Sequence, residues 1–129
     1  MSETSPEQSL KPSNRGLKRI YNAFFYSMDG LKATFQGEDA FRQECLLAAV
    51  LIPIALLSSV SIIGKVLLIS SVIVLLIVEV LNSAIEAVVD RISLEHHELS
   101  KKAKDMGSAA VFLSMLLLGV AWIGIWFFE

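Results

Sequence analysis

Three apolar stretches, each close to the length of a membrane span, constrain this chain more than any other feature. They run from about Leu46 to Ile63, from about Val66 to Val89, and from Ala109 to Phe128. An α-helix needs about 20 apolar residues to cross the hydrocarbon core. Only helices or closed barrels satisfy their backbone groups in lipid. These runs are too long and too continuous for barrel strands, so the pattern predicts three transmembrane helices. Pro53 interrupts the first, and a kink there is tolerable where neighbouring helices pack. With 54% of 129 residues apolar, a single soluble domain could not hide its apolar surface, which excludes that class.

The basic residues set the orientation. Lys11, Arg15, Lys18, Arg19, Lys32 and Arg42 precede the first span, and Arg91, Lys101, Lys102 and Lys104 lie between the second and third. Only Lys65 sits between the first and second, and none follows the third. Positive loops stay inside, so the N-terminus and the second loop are expected in the cytoplasm. The short turn Ser61–Lys65 and the C-terminus are expected on the far side. Trp122, Trp126, Phe127 and Phe128 then suit an aromatic belt at the far interface. Residues 1–14, with Pro6, Pro12 and several serines, read as a disordered polar tail rather than a targeting segment. One domain is expected over residues 15–129. Cys45 is the only cysteine, so no intrachain disulfide forms.

A segment of a different kind precedes the first span, over about residues 15–36. Leu17, Ile20, Tyr21, Phe24, Met28, Leu31 and Phe35 recur at helical spacing, with Lys18, Arg19, Asn22, Asp29 and Lys32 between them. This pattern predicts an amphipathic helix with a basic face, lying in the cytoplasmic interface. The competing reading packs it on the chain's own bundle.

The second span carries Glu79, Asn82, Glu86 and Asp90. Their spacing of three, four and four residues puts them on one helical strip. A charge inside a span costs about 2.5–3.5 kcal/mol on insertion scales, so these groups must face partner helices, a metal ion or a watered pocket. With the second loop inside, Asp90 sits at the inner surface, Glu86 about one turn deeper, and Glu79 roughly 10 Å beyond. Burial would suit Glu79 to accept a proton. Mg²⁺ on a nucleotide wants one or two carboxylates plus phosphate oxygens, and phosphoryl transfer wants cations at the phosphates. Glu38, Asp39 and Glu44 before the first span, and Lys104-Asp105 before the third, supply such groups. No Walker A or kinase glycine-rich loop exists: Gly64-Lys65 lacks the upstream glycine, and Gly30 and Gly37 do not form one. From the residues alone three classes stay open: an enzyme, a proton or cation pathway along the strip, and an oligomer glued by interhelical hydrogen bonds. His96-His97 point to different sides of any helix, so a surface role is favoured over metal binding.

The run from Val78 to Ile92 (VEVLNSAIEAVVDRI) resembles the signature of the prokaryotic diacylglycerol kinases. So do His97-Glu-Leu-Ser100, Ala103-Lys-Asp-Met-Gly-Ser-Ala-Ala-Val111 and Ala40-Phe-Arg-Gln-Glu44. The similarity spans roughly Arg15 to the C-terminus. It implies an all-α integral membrane fold: an interfacial helix plus three spans, assembled as a homotrimer with active sites between protomers. It implies ATP with Mg²⁺, a diacylglycerol acceptor yielding phosphatidic acid, an inner-membrane location and no nucleic-acid partner. By the same resemblance Glu79 is the base or positioner for the lipid hydroxyl, supported by Asn82. Glu38 and Glu86 are the metal carboxylates. Lys104, Asp105 and His97 serve the nucleotide; Arg19, Tyr26 and Ser27 stand on the nucleotide or substrate side; Arg42 and Glu44 border the substrate. The chain departs from the pattern at Met28, where Trp is expected, and at Lys101, where Gly is expected. The runner-up is an undecaprenol kinase of the same fold, since the acceptor hydroxyl is common to both lipids and no residue here reads the tail.

Overall fold

The computed structural model describes residues 16–129, all of whose regular structure is helical: α1 Leu17–Gly37, α2 Asp39–Leu57, α3 Ile62–Ile92 and α4 Glu98–Phe128. The polar tail over residues 1–14, with Lys11, and Arg15 beside it lie outside the described residues. The chain divides into two compact units between Ala33 and Thr34.

The N-terminal unit holds most of α1. Tyr21 and Phe25 meet edge to face at 4.7 Å, and Phe24 and Phe25 at 5.6 Å. Leu17, Ile20, Tyr21 and Phe24 nevertheless stay exposed. A helix that leaves such side chains uncovered suits a water–lipid boundary.

In the second unit, α2, α3 and α4 are each long and apolar enough to cross a membrane. α3 is the middle helix, with α2 and α4 packed against it. The core is small: Phe41, Ala48 and Ala55 from α2, and Leu68, Val72 and Leu75 from α3. Phe41, Ala48 and Ala55 recur every seven residues, which keeps them on one face. Leu46, Val50, Ile54, Leu67, Phe112 and Leu116 stay exposed, as side chains that face lipid must.

The first span differs from its expected bounds. It was expected over about 46–63; the helix instead begins at Asp39 and ends at Leu57. The apolar run misplaces both ends because Arg42 and Glu44 sit inside the first turns, and because the turn to α3 is itself apolar. That turn is Ser58–Ser61, not Ser61–Lys65. Ser58 Oγ donates to Ala55 O at 2.7 Å, and Lys65 Nζ to Leu56 O at 3.0 Å, which closes the end of α2. Ser61 caps α3 by accepting from Gly64 N at 3.0 Å, and its own N–H donates to Glu129 Oε1 at 2.8 Å. The second and third spans, expected over 66–89 and 109–128, extend as helix beyond lipid depth to 62–92 and 98–128.

Lipid is as apolar as leucine, so deleting a buried leucine loses packing rather than a transfer term. We therefore expect Leu68→Ala, at a fully buried position, to cost about 2 kcal/mol, the low end of core deletions. Leu67→Ala, at the half-exposed neighbour, serves as the control. Thermal inactivation in detergent micelles checks the pair: only the first substitution should shorten the half-life.

Candidate functional site

The α2–α3 pair brings four carboxylates together in two rungs. Glu38 is the N-cap residue of α2, with extended φ −128° and ψ 114°, yet its side chain makes no capping bond. An acid at this position ordinarily turns back onto its own helix. Here its neighbour is the Glu86 carboxyl of α3 instead. Burial raises the Glu38 carboxyl above the usual range; the Glu86 charge raises it further, and Arg42 opposes both. This is the upper rung.

The lower rung is Glu44 with Glu79. Both are buried, at 9% and 3% exposure, and Glu44 lies within the field of Glu79. Glu79 also feels Glu38 and Glu86. Antiparallel register explains the pairing: six residues down α2 from Glu38 match seven residues up α3 from Glu86. At 1.5 Å per residue the rungs are about 10 Å apart.

Glu44 is where sequence reasoning fell short. Placing the first span at Leu46 left Glu44 as a flanking group bordering the substrate, whereas it lies within α2, buried against α3. Phe41, Glu44, Ala48 and Ala55 are the buried residues of α2 and share one helical face.

The strip on α3 serves two neighbours. Asn82 leans on α4, where Gly107 is buried and a Cβ would fall directly on Asn82 Oδ1. Asp90 accepts from Lys104 Nζ of α4 at 2.8 Å. Asn82 Oδ1, Ser83 Oγ and Glu44 Oε2 are buried without a hydrogen-bond partner among the described residues. Unpaired buried acceptors of this kind are rare and mark functional sites.

Each remaining expected residue has its own local setting. Arg42 spends its guanidinium on the α1–α2 junction: Nη1 donates to Phe35 O at 2.6 Å and Gln36 O at 3.0 Å, and Nη2 to Asp39. That anchors the backbone that presents Glu38. His97 caps α4, its Nδ1 accepting from Leu99 N at 3.0 Å. Asp105 is bound by Lys101 at 2.6 Å, so the side chain that replaces the expected glycine neutralises a neighbour one turn away. Lys101, Lys104, Asp105, Asp90 and His97 line one open cleft of about 320 Å³ at the α3–α4 turn. Arg19, Tyr26 and Ser27 are exposed on α1 in the N-terminal unit, where Ser27 Oγ donates to Ala23 O at 2.8 Å.

Among the described residues no three His, Cys, Asp or Glu side chains gather closely enough to hold a metal ion alone. The Glu38–Glu86 pair still fits a hard divalent cation. Two carboxylates in contact need a shared proton or a cation between them, and Mg²⁺ is held by one or two carboxylates plus phosphate oxygens.

The tight Asn82–Gly107 approach yields a measurable expectation. Gly107→Ala should destabilise by about 1–3 kcal/mol, as overpacking does, and should lose most of that penalty when combined with Asn82→Ala. Melting temperatures of the two single variants and the double variant check it.

The sequence profile described as prokaryotic diacylglycerol kinase matches residues 25–126. A diacylglycerol kinase of Pseudomonas aeruginosa is 58% identical over 107 residues, covering 83% of this chain and 87% of the relative. That of Escherichia coli K12 is 52% identical over 107 residues, covering 83% and 88%. That of Haemophilus influenzae is 50% identical over 113 residues, covering 88% and 96%.

Proposed function

The chain belongs to the prokaryotic diacylglycerol kinase family, and from that premise we propose that it moves the γ-phosphoryl group of ATP onto diacylglycerol at the cytoplasmic face of a bacterial inner membrane. The observation that carries this reading is the carboxylate ladder: an upper Glu38–Glu86 rung joined to a buried Glu44–Glu79 rung. Such a ladder descends from the level of nucleotide phosphates to the level of a lipid hydroxyl.

The division of labour follows from depth. Glu38 and Glu86 would hold Mg²⁺, which when bound offsets the negative charge of the phosphates. Lys104 at the cleft mouth adds a second positive charge, with Asp105 and His97 beside it. Glu79, buried among carboxylates, is set to take the proton from the lipid hydroxyl. That oxygen then bonds to the γ-phosphorus, the bond from phosphorus to the bridging oxygen breaks, and ADP leaves with the electron pair. Asn82 Oδ1, without a hydrogen-bond partner among the described residues and close against Gly107, would orient the hydroxyl or Glu79. Arg19, Tyr26, Ser27, Arg42 and Glu44 are assigned to the nucleotide and lipid sides by family resemblance.

The positive-inside pattern supports an N-terminus in the cytoplasm and a C-terminus in the periplasm. Among the described residues α4 packs on α3, and the homotrimer is what family resemblance implies. A proton or cation pathway along the same strip is less well supported, because it gives no role to Lys104 and Asp105 beside the strip.

Transfer of radiolabelled phosphate from ATP to diacylglycerol or undecaprenol, offered side by side in micelles, tests the function. Label on diacylglycerol is the expected result; label on undecaprenol alone would reassign the acceptor, and label on neither would overturn the proposal. Glu79→Gln removes the proton acceptor while keeping the shape. We expect its turnover to fall by at least about 10²-fold, the scale of lost general-base catalysis, with an unchanged elution volume on size exclusion.

A further inference from the structure

One contact at the cleft mouth has no part in the reaction described so far. Asp90 ends the carboxylate strip of α3 and accepts from Lys104 Nζ of α4 at 2.8 Å. The pair joins two helices and is about half exposed, at 46% and 44%. The loop between them is built to keep it aligned. Ser93 Oγ accepts from Glu95 N at 3.0 Å just after α3 ends, and His97 caps the start of α4. Lys104 also lies in the field of Glu86, the metal-side carboxylate one turn from Asp90. Two anions therefore compete for one ammonium.

We propose that Asp90 is a positioning residue for the transfer reaction, which holds the Lys104 ammonium at the cleft mouth, available to a nucleotide phosphate and kept off Glu86. This rests on the kinase reading above. An ammonium has three N–H donors; one is given to Asp90, and others remain for phosphate oxygens, so the ion pair and the nucleotide are compatible. Without Asp90 the long lysine chain has many rotamers to lose on binding, and its nearest strong acceptor becomes Glu86. There it would compete with the divalent cation. Loss of Asp90 thus predicts a paired signature: weaker nucleotide binding and a raised Mg²⁺ requirement, with turnover at saturation retained.

Steady-state transfer by the purified full chain in micelles, at saturating diacylglycerol, tests this with Asp90→Ala, Asp90→Asn and Asp90→Glu. Asp90→Ala should raise the KM for ATP about fivefold, the scale of one partly exposed ion pair. The half-saturating Mg²⁺ concentration should rise with it and kcat should stay close to wild type. Asp90→Glu should restore most of the effect, and Asp90→Asn, which keeps an acceptor without its charge, should fall between. In a Lys104→Ala background, binding of a non-hydrolysable ATP analogue should not weaken further when Asp90→Ala is added; a merely structural aspartate would harm both backgrounds equally. An unchanged or lowered KM, a loss confined to kcat, or an equal penalty without Lys104 would overturn the role. Should the alanine variant aggregate, the near-isosteric Asp90→Asn decides by the same readouts. A wild-type chain with no ATP-dependent transfer would instead overturn the kinase reading and this role with it.

Discussion

The contact between α2 and α3 is the constraint on which the rest of the molecule depends, because it must shelter carboxylates within a membrane. Unpaired charges at this depth are expensive, and α3 alone offers no partner for Glu79 or Glu86. The antiparallel match with α2 sets Glu44 beside Glu79 and Glu38 beside Glu86. Acids facing acids do not stabilise the helix pair; paired carboxylates of this kind suit a hard divalent cation. The core that offsets them is modest, with Phe41, Ala48 and Ala55 against Leu68, Val72 and Leu75. Such a ladder is costly to stability and fits the cation site and proton acceptor proposed for it.

The two ends of the bundle are finished differently. At the Ser58–Ser61 turn, backbone ends are closed by side chains: Ser58 and Lys65 on α2, Ser61 and Glu129 on α3. At the opposite end, Glu38 does not cap its own helix, Asn82 Oδ1 and Glu44 Oε2 have no hydrogen-bond partner among the described residues, and charged side chains line an open cleft. Local rules are satisfied at the first end and broken at the second, which is the end that chemistry requires to be adaptable.

Much of this was legible in the chain itself. Apolar runs of span length mark α2, α3 and α4 because lipid demands about 20 apolar residues whatever the partners. The strip Glu79, Asn82, Glu86, Asp90 is legible because helical spacing alone puts those residues on one face. The start of α2 is not, since Arg42 and Glu44 look like flanking charges until the register with α3 is known. Glu44 is buried only because Glu79 faces it, and that is a tertiary fact. Nor could spacing reveal that Asn82 leans on Gly107, because the closeness of α3 and α4 depends on a missing side chain on another helix. Lys101 looked like an intrusion in the loop, and its pairing with Asp105 is a local i,i+4 match that the sequence does contain.

The central claim is that Glu38 and Glu86, from two different helices, hold one divalent cation together with the nucleotide. Electron paramagnetic resonance of Mn²⁺, bound with a non-hydrolysable ATP analogue to the purified chain, measures this most directly. We expect a protein-bound Mn²⁺ signal in the wild type that either Glu38→Gln or Glu86→Gln reduces to that of the nucleotide complex free in solution. An undiminished protein-bound signal in both variants would contradict a shared metal site on this pair.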